Sequence, residues 1–195
     1  MRTDGDLLEL WRGGDRAAGE ELVQRYWKAI AGFFRAKVGD QSGDLIAQTF
    51  LACVEGKDRI EGEDVRAYVF SIARRRLADH FRRSAASPVV DCSMTSIADL
   101  ATGASSLLVR HQEGALLREA LRRIPIDDQL ALELTYVEGL SGREVARVLE
   151  IPENTLRSRL GRAREKLRQR LLELGSAEEA ARAETELDVS SSSSS

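Results

Sequence analysis

The sequence predicts an all-α protein made of two small helical domains joined by an extended linker. Three observations point there. Apolar residues recur every three or four positions through most of the chain, the spacing of amphipathic helices. β-branched runs are scarce, and only 5% of residues are aromatic against 43% hydrophobic, which suits small helical cores better than a large sheet. A stretch at 84–106, rich in Ser, Ala and Thr and holding Pro88, breaks the period and reads as linker. At 195 residues there is room for two small domains. We place them at 1–83 and 107–174, with the linker at 84–106 and an acidic, serine-rich tail at 175–195 expected to be disordered.

Composition excludes several classes. No segment is apolar for long enough to span a bilayer. Met1–Asp6 is acidic and no apolar core follows it, unlike a secretory leader, so the expected location is cytoplasmic. Cys53 and Cys92 lack metal-ligand spacing and the two histidines lie far apart, leaving no metal or cofactor to expect. Cys53 lies in an apolar helical run and reads as core, Cys92 in the polar linker. No nucleophile–base pair or phosphate-binding glycine loop suggests an enzyme.

The net charge of −3 hides a strong pattern. Residues 65–83 carry six Arg against one Asp, and residues 143–170 carry nine Lys/Arg against four Glu, each block +5. Acidic blocks separate them, and 171–195 is −5. Two cationic segments on one chain suggest two nucleic-acid contacts. The acidic tail, by its charge, could lie transiently on the second basic block.

In the first domain, Leu7, Leu8, Leu10 and Trp11 mark a helix that Gly13-Gly14 ends. Asp15 caps a second running to about Val38, with Leu22, Val23, Tyr26, Trp27, Ile30, Phe33 and Phe34 inward. After a turn at 39–43, Asp44 is the expected cap of the helix DLIAQTFLACV, with Leu45, Ile46, Phe50 and Leu51 available to pack and Asp44, Gln48 and Thr49 on another side. A charged loop at 55–64 leads into VRAYVFSIARRRLADHFRR, whose buried stripe is Val65, Val69, Ile72, Ala73, Leu77 and Phe81. Off that stripe lie Arg74, Arg75, Arg76, His80, Arg82 and Arg83, with Tyr68 and Phe70 as aromatics beside them. Cations with aromatics hold unstacked single strands by backbone attraction and base stacking, although an aromatic on a helix is more often core.

In the second domain a helix ends at Ile124, and Asp127 or Asp128 caps the next, which ends at Gly139. Ser141 and Glu144 then form a capping box for a short helix that Pro152 terminates. A longer helix begins near Glu153–Thr155, with Leu156, Leu160, Ala163 and Leu167 along one side and arginines elsewhere. A short helix, a tight turn and a basic helix make a helix-turn-helix, whose second helix enters the DNA major groove N-terminus first. Glu153, Asn154, Thr155, Arg157 and Ser158 sit at that end and suit base edges, with Arg157 and Arg159 the foremost readers. Arg162, Arg164 and Lys166 lie about a turn further on, where phosphates would be. The plainer reading is an amphipathic helix with a solvated basic face.

The run from Ile124 to Leu171 resembles region 4 of bacterial RNA polymerase sigma factors of the extracytoplasmic-function group of the sigma-70 family. The matching residues are Gly139-Leu140-Ser141, Glu144, Ala146, Leu149, Pro152, Thr155, Ser158-Arg159-Leu160, Arg162-Ala163-Arg164 and Leu167. Ile124 stands where leucine is usual, and Asn154 where glycine is frequent; asparagine tolerates left-handed backbone. The helix at 65–83 is similar to regions 2.3 and 2.4 through Ile72-Ala73, Asp79 and Arg82, with Tyr68 where tryptophan is common and Arg75 where asparagine often stands. The resemblance covers about Asp6–Leu171.

The resemblance implies an alternative sigma factor that directs core RNA polymerase to promoters. It implies core-polymerase docking through Asp44, Leu45, Gln48 and Thr49. Recognition and melting of the −10 element would fall to Tyr68, Arg74, Arg75, Arg76, Asp79, His80, Arg82 and Arg83, with residues 58–64 walling a pocket for a flipped base. The −35 element would be read by the basic helix, and an anti-sigma protein is a further implied partner. The alternative is a stand-alone helix-turn-helix regulator, which has no need of the cationic helix at 65–83.

Overall fold

In a computed structural model, residues 2–60, 64–85 and 116–192 are described, and every regular element among them is helical. Most of the linker, Cys92, part of the 58–64 pocket wall and the last three serines lie outside the described residues. Two compact units are present, one formed by Met1–Ile97 with Leu134–Leu156, the other by Ala98–Glu133 with Arg157–Ser195.

The first unit begins with α1 (Asp4–Arg12), opened by a capping box between Thr3 and Asp6. Leu7 and Leu8 are buried, and Gly13 ends the helix. α2 (Arg16–Val38) is capped by Asp15, whose side chain accepts from the amides of Ala17 and Ala18 at 2.9 and 3.3 Å. Leu22, Tyr26, Ile30, Phe33 and Phe34 face inward as the sequence predicts. Trp27 does not. It is half-exposed and stacks on Phe50 at 5.6 Å between ring centroids.

A short 3-10 turn (Gly39–Gln41) leads to α3 (Ser42–Glu55), which starts two residues before Asp44. Asp44 is therefore not the cap but an acid in the first turn, where it suits the positive end of the helix. Leu45, Ile46, Thr49, Phe50 and Cys53 turn inward, and Leu51 turns out to solvent. α4 (Val65–Ala85) packs Val65, Ala67, Val69, Phe70, Ala73 and Leu77 into the same core. Phe70 meets Phe33 edge-on at 5.8 Å.

α7 (Gly142–Leu149) belongs to this unit and packs against α4. Its capping box forms as expected: Glu144 accepts from the Ser141 amide at 2.7 Å, and the Ser141 hydroxyl accepts from the Glu144 amide at 3.3 Å. Before it, Leu134 and Leu140 are buried, and the Leu140 amide donates to the Leu134 carbonyl at 2.9 Å across the left-handed Gly139.

In the second unit a helix at residues 116–122, here α5, precedes α6 (Ile126–Leu132). The N-cap of α6 is Pro125; Asp127 and Asp128 lie in its first turn and neither caps it. A π-helical turn over Glu133–Val137 follows. α8 runs from Glu153 to Ser192, so the chain stays helical well past Leu174, where the sequence predicts the end of the ordered domain. Within the unit, Ile124, Leu132 and Ala163 form a small core that Leu121, Leu160 and Leu167 cover.

Phe34 is fully buried whereas Trp27 is half-exposed. Urea denaturation should therefore show Phe34→Ala costing about 3–5 kcal/mol and Trp27→Ala markedly less. Burial pushes the Cys53 thiol up to about 12. With Cys92 replaced by serine, Cys53 should resist a thiol reagent at pH 8 and react only once denaturant opens the fold.

Candidate nucleic-acid interface

Burial of the apolar stripe of α4 dictates where its cations go. Arg74, Arg75 and Arg76 are consecutive, so they fan across the face opposite Ala73 and Leu77. Arg75 is exposed, and Arg74 and Arg76 are partly so. Arg82 and Arg83 are exposed at the end of the helix, and Arg82 pairs with Asp79 one turn back. His80 is half-buried, edge-on to Phe81 at 5.7 Å.

Beside this face lies an open cavity of about 380 Å³ between the end of α3 and α4. Tyr68, Arg75, Arg76 and Asp79 line it, so half of the residues proposed from the sequence for the −10 contact share one depression. Arg59, within the 58–64 wall that the resemblance implies, lines it too, as do Glu55 and Gly56, which neither the helix period of α4 nor the resemblance names. The Tyr68 hydroxyl donates to the Gly56 carbonyl at 3.1 Å, and burial raises its pKa. A Cβ at residue 56 would stand 2.1 Å from that hydroxyl. Glycine is required there by the ring, not by the backbone angle.

The rest of the cavity's loop is held firmly. The Arg12 guanidinium donates to the carbonyls of Lys57 and Ile60, and Lys57 Nζ returns a bond to the Trp11 carbonyl at 3.0 Å. Phe70, the other candidate for base stacking, is fully buried and serves the core. Its side chain falls on the same stripe as Ala67 and Ala73.

On α3, Asp44 is exposed and Gln48 is half-exposed, in keeping with a docking face. Leu45 and Thr49 are not. Leu45 is 3% exposed and Thr49 0%, so neither offers its side chain to a partner. Thr49 is tolerated inside because its hydroxyl donates to the Leu45 carbonyl at 2.7 Å, which satisfies it within its own helix. The outward positions are Asp44, Ala47, Gln48, Leu51 and Val54.

Along α8, Glu153, Asn154, Arg157 and Ser158 are exposed, with Thr155 half-exposed. Asn154 lies inside the helix, so the left-handed turn expected there is elsewhere. It falls on Glu150, the C-cap of α7, at φ 57° and ψ 41°. That backbone costs a residue with a Cβ about 1–2 kcal/mol. Arg159 faces Asp127 at 3.5 Å, and Lys166 meets the buried Asp128 at 2.6 Å. Arg157, Arg162 and Arg164 are exposed and carry no ion pair among the described residues.

Gly56→Ala should drive the Tyr68 ring out of its seat. The check is the Tyr68 ring resonances by NMR, which should shift strongly while those of Phe34 stay in place.

Comparison with known proteins agrees with this geometry. The family model "Sigma-70, region 4" matches residues 114–167. The ECF RNA polymerase sigma-E factors of Salmonella typhimurium and of Escherichia coli K12 are each 29% identical over 178 residues, covering 84% of this chain and 91% of theirs. Two solved structures share the fold. CnrH, determined with the cytosolic domain of CnrY, aligns at TM-score 0.64 and 24% identity over 85% of this chain and 95% of its own. The sigma factor RpoE of Bartonella quintana, determined with the anti-sigma factor NepR, aligns at TM-score 0.66 and 22% identity over 78% and 95%. By the matched region and by these relatives, the chain is similar to RNA polymerase sigma factors of the extracytoplasmic-function group.

Proposed function

We propose that this sigma factor brings core RNA polymerase to particular promoters by using its two cationic segments for two different tasks. α4 and its cavity engage the melted strand near −10. The first turns of α8 read the duplex near −35. The observation that carries this reading is the arrangement on α4, where a fully buried stripe forces a row of arginines outward beside a tyrosine-lined cavity. A regulator acting alone on duplex DNA has no use for such a helix.

For −35, Arg157 is the foremost base reader, standing exposed in the first turns of α8. Arg159 is partly engaged by Asp127, which holds it toward its own unit. Arg162 and Arg164 suit phosphates; Lys166 is already committed to Asp128. For −10, Tyr68, Arg75, Arg76 and Asp79 surround the cavity, with Arg74, His80, Arg82 and Arg83 flanking it along α4.

For polymerase, the face of α3 that includes Asp44 and Gln48, with Leu51 and Val54, is the proposed docking surface. An anti-sigma protein is proposed as a further partner and the cytoplasm as the place of action. The functional modules remain 1–83 and 107–174 on this reading, and the protein contributes binding rather than chemistry.

Transcription with purified core polymerase on a promoter library is the direct test; enriched templates should share two short motifs separated by a spacer. Promoter binding that needs no polymerase would favour a stand-alone regulator instead. Arg157→Ala should relax preference at one or two −35 positions by about 1–3 kcal/mol. Arg164→Ala should weaken binding to all sequences alike and lower the salt slope by about one unit. Equal, sequence-independent losses in both variants would refute this division.

A further inference from the structure

The last turn of α1 is bonded to the loop that borders the α4 cavity, and these bonds run to backbone. Arg12 donates from Nε and one terminal nitrogen to the Lys57 carbonyl at 3.3 and 3.2 Å, and from that same terminal nitrogen to the Ile60 carbonyl. Lys57 Nζ returns a bond to the Trp11 carbonyl at 3.0 Å and stands 5.7 Å from the centre of the Trp11 ring. An ammonium there suits the negative end of α1. The ring is itself seated on α2: a Cβ at Gly19 would stand 2.5 Å from Trp11 Nε1.

Between the two carbonyls that Arg12 holds lie Asp58 and Arg59, both exposed, and Arg59 lines the cavity. Lys57–Arg59 is a single 3-10 turn, a form with poor hydrogen-bond geometry. It is closed by the Arg59 amide on the Gly56 carbonyl at 2.9 Å and the Ile60 amide on the Lys57 carbonyl at 3.3 Å. The Tyr68 hydroxyl shares the first of these carbonyls and Arg12 the second. Ile60, 3% exposed, anchors the far end. A lone turn fixes several dihedrals for few hydrogen bonds, so its position depends on what grips it from outside. A grip on carbonyls is indifferent to the side chains of the loop. It fixes the path of the backbone and leaves Asp58 and Arg59 facing outward.

We propose that Arg12 and Lys57 are positioning residues for base selection: from α1 they set where Arg59 stands in the cavity, and so which base of a single strand is accepted there. This rests on the reading of the cavity as the −10 contact. Arg12, half-buried at the end of α1, acts through the turn and does not touch the strand. Sites that discriminate must hold their groups to within about 0.5 Å, which a free single turn does not do.

The test is transcription by the full chain with purified core polymerase on templates randomised through the −10 motif, with −35 held constant. The readout is the ratio of the preferred base to the next at each position. Amide hydrogen exchange over residues 56–60 reports the turn itself. Arg12→Ala and Lys57→Met should speed exchange there and flatten the preference at one −10 position on the order of tenfold, with preference at −35 unchanged on a matching −35 library. Arg12→Lys keeps the charge but cannot fork between two carbonyls, and should fall between. Leu8→Val weakens α1 through its packing alone and should leave the −10 ratio as in the wild type. An equal flattening by Leu8→Val overturns the proposal, since any loosening of α1 would then suffice. Faster exchange with an unchanged ratio overturns it too, as does unchanged exchange in every Arg12 and Lys57 variant. These results leave the cavity reading standing. A wild-type chain without base preference at −10 overturns the cavity reading and the proposal together. Where Arg12→Ala does not fold, Arg12→Lys and Lys57→Met decide by the same two readouts.

Discussion

One constraint governs the first unit: the apolar stripe of α4 has to be buried, so its arginines cannot be. Phe70, Ala67 and Ala73 are completely enclosed, and Val65, Val69 and Leu77 nearly so. A helix rotated to bury Arg74 or Arg76 would expose that stripe and desolvate a guanidinium, and the second cost alone exceeds what any surface ion pair returns. The cations are thus held at fixed positions on a rigid helix. What meets two of them there, Arg74 and Arg75, is the Glu150 carboxylate.

The partner helix is set with matching care. α7 is only eight residues long, and both ends are specified. The Ser141–Glu144 capping box fixes where it starts, and the left-handed Glu150 fixes where it stops. Because the length is fixed, Arg147 and Glu150 fall three residues apart on neighbouring positions of one face. One addresses Asp64 ahead of α4 and the other addresses Arg74 and Arg75 a few turns along it. A one-residue change in length would rotate Glu150 away from both arginines.

The parts of this arrangement legible in the sequence are those set by local chemistry. Asp15 and the Ser141–Glu144 pair act on amides two or three residues away, so their spacing suffices to name them. Most of the α2 and α4 stripes was legible from helix period, but on α4 Ile72 and Phe81, expected inside, are only partly buried, while Phe70, expected beside the arginines, is enclosed with Ala67. Thr49 and Leu45 were misjudged because a threonine hydroxyl can be satisfied by its own helix, which frees the side chain to be buried. Trp27 was misjudged because its stacking partner, Phe50, lies on another helix. Glu150 carried no signal: a glutamate in a turn looks solvated until a distant helix supplies its arginines. The family resemblance named candidate cations on α4 and α8, but it did not distinguish engaged cations from open ones. That distinction on α8 depends on Asp127 and Asp128 of α6, which sequence spacing does not bring near.

Ionic strength bears differently on the two uses of the α4 arginines. The contact with α7 is a handful of short pairs within one unit, and screening acts on them only over a Debye length of about 8 Å at physiological salt. Binding a strand releases condensed counterions, and its affinity falls as a power of salt set by the number of phosphates engaged. Added salt should therefore weaken a strand's hold on these arginines faster than it weakens their pairs with Glu150.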